Sequence, residues 1–148
     1  MRGDAAGDEA ARVMLAKCWF GVQAPEVLGI AARVVNARVA QAAGDHAAAA
    51  ALFAEAAAIQ DTLPYMEPPF WYYPVHQSLG AALLAQGKPA EAEEAFRAAL
   101  KRVPNNAWAA AGLLKAAEMR GDGAGAEAAR AMLAKSWFGA APPPVERL

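Results

Sequence analysis

YPVHQSLGAALLAQGKPAEAEEAFRAALKRVPNN, residues 73–106, reads as two short amphipathic helices parted by Gly87-Lys88-Pro89 and closed by Pro104-Asn105-Asn106. Leu79, Leu83, Phe96 and Leu100 place large apolar groups at i, i+4 spacing. Gly80, Ala92 and Ala99 are small where the paired helices would approach closely. The same grammar recurs on both sides of this stretch. With Ile30, Tyr73 and Ala107 taken as first positions, glycine stands fifteenth (Gly44, Gly87, Gly121) and alanine twentieth (Ala49, Ala92, Ala126). Position twenty-seven holds Ala56, Ala99 and Leu133, and position twenty-four holds Phe53 and Phe96 before breaking to Arg130. A period of ~34 residues made of two helical halves marks a helix–turn–helix repeat that stacks into a solenoid. The predicted fold is therefore all-α, a superhelix of antiparallel helix pairs.

Turn chemistry agrees with the period. Gly44-Asp45 and Gly121-Asp122 each offer a residue suited to a left-handed helix end, followed by an N-cap acceptor. Pro89 falls near a first helical turn, where a missing N–H costs nothing, and Asn106 can cap the helix after Pro104. These signals predict helices over 8–20, 25–43, 46–60, 75–86, 90–103, 107–120 and 124–138. The organisation that follows is a leading half-repeat and the start of the next helix (1–29), repeats at 30–63, 73–106 and 107–140, and a proline-rich tail at 141–148.

Composition bounds the function classes. Of 148 residues, 43 are alanine, the best intrinsic helix former, which favours closely packed helices. No run alternates apolar and polar residues for long enough to read as a strand. A formal charge of −1 lacks the basic face of a nucleic-acid binder. Charged residues interrupt every apolar run before the ~18 residues that a membrane span requires. No secretory leader is visible, and the single Cys18 fits a reducing, cytoplasmic setting.

Two segments depart from the repeat. Pro64-Tyr65-Met66-Glu67-Pro68-Pro69-Phe70-Trp71-Tyr72 has three prolines and four aromatics, so it cannot continue a helix. It is expected to be an ordered insertion packed across a repeat seam. In that setting Phe70, Trp71 and Tyr72 are candidates for an aromatic contact. The ends are near-duplicates: residues 1–21 and 119–139 agree at seventeen of twenty-one positions. Met1 then corresponds to Met119, inside a helix, so the chain is expected to begin in mid-repeat as part of a longer array.

Residues 73–106 resemble a tetratricopeptide repeat. Leu79-Gly80 stands where that family has its leucine–glycine pair, and Ala92, Phe96, Ala99 and Pro104 match its alanine, aromatic, alanine and terminal proline. His76 replaces the early tryptophan. The repeat at 30–63 has Asn36-Ala37 at the pair and Asp61 for the proline, and the one at 107–140 has its glycine early, at Gly112. The stretch from Pro64 to Leu84 also resembles the C-terminal part of long bacterial members. The resemblance implies a concave groove lined by the first helix of each repeat, which puts Arg38, Gln41, Gln77, Trp108, Lys115 and Glu118 on it. The lysine and asparagine set with which some members clamp a terminal carboxylate is absent, since Val34, Gln77, Ala81 and Ala111 stand there.

No catalytic constellation emerges. His46 and His76 stand apart, and no metal-ligand spacing of His, Cys or carboxylate is present, so neither metal nor cofactor is expected. His76 reads as a packed amphipathic ring. Glu91, Glu93 and Glu94 read as a solvated, dipole-favouring start of a helix with Arg97 near Glu93. Gly121–Gly125 lacks the preceding strand and the Lys-Ser/Thr of a phosphate loop, and Arg-Gly-Asp at 2–4 and 120–122 is only an inter-helix turn. The expected function is a non-catalytic protein-interaction scaffold that takes a protein or peptide in its groove. Two alternatives are self-assembly through the duplicated end helices 8–20 and 124–138, and the C-terminal interaction module of a larger protein.

Overall fold

The structure, a computed structural model, describes residues 24–148. The helix expected at 8–20 and its near-duplicate relation to the C-terminal helix lie outside these residues. The described residues form six α-helices: α1 (Ala24–Ala42), α2 (His46–Thr62), α3 (Val75–Ala85), α4 (Pro89–Arg102), α5 (Ala107–Arg120) and α6 (Gly123–Ser136). A short 3-10 turn, Val145–Arg147, follows. There is no strand among the described residues. Each of the six lies within three residues of its expected bounds.

Local chemistry explains that agreement. Gly44, Gly87 and Gly121 have φ of 79°, 72° and 68°, the left-handed conformation that ends a helix at little cost only in glycine. Asp45, Asn106 and Asp122 then accept from the backbone N–H of Ala48, Ala109 and Gly125, at 2.9, 3.1 and 2.9 Å. Pro89 is the first residue of α4, where its fixed φ suits the helix. Lys101 and Arg102 sit in the last turn of that helix, at the negative end of its dipole.

Each helix packs on the next in sequence, and α3 also touches α5. One apolar cluster runs through the stack. It includes Ile30 and Val34 of α1, Phe53 of α2, Leu83 of α3, Phe96 of α4, Leu113 of α5 and Leu133 of α6. Phe96 is completely buried. A Cβ built on Gly80 would stand 2.7 Å from the Phe96 ring, and one on Gly112 would come closer still. The ring therefore fills the space that two glycines on neighbouring helices leave open. The early glycine of the last repeat thus serves this contact between repeats.

Between α2 and α3 the chain makes bends and turns over 63–74 and contains a cis Glu67–Pro68 bond. Its end is fixed by Gln60. That side chain is buried, donates to the Tyr73 carbonyl and accepts from the Val75 N–H, both at 2.8 Å. Arg102 adds a second tie, donating to the Gln60 carbonyl at 2.6 Å and to Asp61 Oδ1 at 3.2 Å. Glu93, read from the sequence as solvated, is largely covered, because Arg97 of α4 and Arg120 of α5 both pair with it.

Candidate functional site: the face of α1, α3 and α5

The expected groove residues divide into two groups. Arg38 and Gln41, one helical turn apart on α1, bond to each other at 2.9 Å. Arg38 also donates to Ser78 Oγ of α3 at 3.1 Å, and its guanidinium lies 5.1 Å from the centroid of the Phe53 ring. Gln77, expected as a groove polar group, is buried; its amide oxygen accepts from the Asn106 side chain at 2.7 Å. Asn106 thus caps α5 and ties α3 to it. Trp108 is half-buried against the core. Further along α5, Lys115 is exposed, and Glu118 pairs with Arg130 of α6 at 2.8 Å. Arg38 and Gln77 are therefore bound into contacts between helices and Gln41 to the C-terminal segment, whereas Lys115 and Glu118 are exposed.

The C-terminal segment reaches this same face. The turn Val145–Arg147 packs on both α3 and α5. Val145 and Leu148 are 8% and 6% exposed and belong to the cluster that also holds Val34, Ala81 and Ala111. Gln41 Nε2 donates to the Leu148 main-chain oxygen at 3.3 Å, so the segment touches α1 as well. Pro143 is buried too, while Glu146 and Arg147 are exposed. Sequence reasoning left residues 141–148 as a tail without a role. The available signal was a pair of aliphatic residues three apart behind a proline run.

The aromatic insertion borders a separate cavity of about 740 Å³ between its own loop and the end of α4. Phe70 and Trp71 pack against the core, whereas Tyr72 is 81% exposed. The Trp71, Tyr72 and Tyr73 rings form a cluster with centroids 4.7–6.0 Å apart. Part of the insertion is thus seam packing and part is open surface. The buried Trp71 Nε1 and Tyr73 hydroxyl have no hydrogen-bond partner among the described residues.

His76 lies on a different surface, beside a trough of about 640 Å³ between α2 and α4. Its Nε2 is 3.4 Å from Asp61 Oδ2. Burial lowers its pKa from the ordinary 6.5; Asp61 opposes that effect and Arg102 adds to it. The unfolded chain then takes up a proton that the folded chain resists. Stability from this group is complete above the unfolded pKa and declines as pH falls below it toward the lowered folded value. Denaturant midpoints measured from pH 7 to pH 5 should fall, and His76→Gln should remove part of that fall. Identical profiles for the two proteins would show that His76 does not contribute.

Among the described residues no group of three His, Cys, Asp or Glu could hold a metal ion, and no helix is long and apolar enough to cross a membrane. Residues 73–106 match the family model described as tetratricopeptide repeat. No curated protein and no solved structure matches the chain. The matched pair α3–α4 has helical neighbours on both sides, stacked in consecutive hairpins with glycine at each intra-pair turn. The pair α3–α4 is thus a tetratricopeptide repeat, set among the described residues in an all-α stack of consecutive helix pairs of the same kind.

Proposed function

We propose that the chain is a non-catalytic protein-interaction scaffold with repeats at 30–63, 73–106 and 107–140, and that its partner lies along α1, α3 and α5. The observation that carries this reading is that a short stretch of the chain itself already packs on that face. A surface that accommodates a few residues of turned main chain suits a peptide better than a small metabolite. Arg38 and Gln41 supply polar contacts from α1, Lys115 and Glu118 supply them from α5, and Trp108 in the first turn of α5 supplies an aromatic anchor.

The test is a peptide-library screen, with the binding surface mapped by chemical-shift perturbation in the intact chain. Bound peptides should move the Trp108 indole signal and the backbone signals of α3 and α5. Trp108→Ala with Lys115→Ala should weaken binding by roughly tenfold or more, as expected when a central aromatic anchor is lost. The reading is abandoned if ligands instead perturb α2 and α4 while those two substitutions leave affinity unchanged.

A further inference from the structure

The way residues 143–148 sit on the groove tells more than that the groove accepts peptide. A 3-10 turn has three residues per turn, so side chains at i and i+3 project on the same side. Val145 and Leu148 have that spacing, and both are buried in the shared cluster. The turn closes with Arg147 N–H to Pro144 O at 3.0 Å and Leu148 N–H to Val145 O at 3.1 Å. Glu146 and Arg147 face away, exposed. The turn packs on α3 and α5, the helices that carry Ala81 and Ala111. Ala81 and Ala111, at groove positions of their helices, carry only a methyl group each and belong to the same cluster, and Trp108 packs against that cluster. The polar contact between segment and groove is the bond from Gln41 to a main-chain oxygen, which any residue can supply.

The geometry points to residues 143–148 as a displaceable internal ligand: the groove recognises a proline-preceded segment with two aliphatic side chains three residues apart, and a partner bearing that pattern competes with the chain's own tail. This rests on the groove reading above and makes it specific. Recognition lies in two apolar side chains and one backbone bond, so the partner's intervening residues are free to vary. Occupation by the tail lowers the apparent affinity for any partner by the fraction of molecules whose groove is open. The groove is therefore self-competing.

The experiment uses the full chain and a fluorescein-labelled peptide of the sequence APPPVERL, followed by anisotropy. Val145→Ser with Leu148→Ser should release the tail and bind the probe roughly tenfold or more tightly than the unaltered chain does. A probe with both aliphatics replaced by serine should not bind. A double variant with unaltered helix content that binds the probe no better than the original chain overturns the proposal, as does equal binding of the serine probe. Should the double variant lose its fold, the unaltered chain supplies the decision. Excess unlabelled APPPVERL should speed hydrogen exchange at the Arg147 and Leu148 amides, and unchanged exchange there at saturating peptide overturns the inference. A groove that ignores the aliphatic probe yet takes unrelated peptides on α3 and α5 sinks this proposal alone and leaves the scaffold reading in place.

Discussion

Phe96→Ala should destabilise the array by about 3–5 kcal/mol, lowering the melting temperature on the order of 10–20 °C. Two terms combine. The ring is wholly buried, so its transfer free energy is lost in full. The vacated space also cannot collapse easily, because Gly80 and Gly112 border it and neither has a side chain to move in. The same geometry predicts a change of sign. In the original chain Gly112→Ala brings a methyl group into a ring that has nowhere to go, so it should destabilise despite a gain of about 1 kcal/mol in helix propensity. In the Phe96→Ala background the added methyl enters the cavity, and Gly112→Ala should then stabilise. A double-mutant cycle by denaturant titration measures the coupling directly. If Gly112→Ala costs the same in both backgrounds, the ring does not fill the gap between the two glycines.

Such contacts mark the limit of what the sequence makes legible. Helix ends were legible because their causes are local: a glycine that must turn left-handed at 44, 87 and 121, and an acceptor at 45, 106 and 122 within three residues of the N–H it caps. Phe96 as a core residue was legible too, since the apolar stripe places it. What it meets was only half visible. Gly80 sits where the family pattern requires a glycine, whereas Gly112 looked like a register fault until its contact with the ring was seen. The groove was harder still. Projecting helical positions onto a concave face assumes an open face, yet Ala81 and Ala111 are buried there and Gln77 is spent on Asn106. The bond from Gln41 to Leu148 joins residues 107 apart in sequence, and no periodicity encodes it. A helical projection groups side chains by face, but their partners come from elsewhere in the chain.

Gln60 makes that point with a second large effect. It occupies the end of α2, where an amide would ordinarily be taken as a surface residue, yet it is only 3% exposed. Its oxygen takes the N–H of Val75, the first residue of α3, which like every first-turn N–H has no partner within its own helix. Its nitrogen meets the carbonyl of Tyr73. One side chain thereby closes the loop between the first two helix pairs and sets where α3 begins. Gln60→Met keeps the length and most of the volume but abandons both groups. Stranding a buried donor or acceptor costs about 1–3 kcal/mol each, so a loss of about 2–4 kcal/mol is expected, the Tyr73 carbonyl being the nearer of the two to solvent. The damage should also be local. Protease cleavage within 63–74 and exchange of the Val75 amide should rise well before α5 and α6 unfold, because the bonds from Arg102 reach only Gln60 and Asp61 of α2 and leave the segment to its ring packing. A loss under 1 kcal/mol with an unchanged cleavage pattern would mean that the two backbone groups find other partners, and that the insertion is positioned by its rings rather than by this amide.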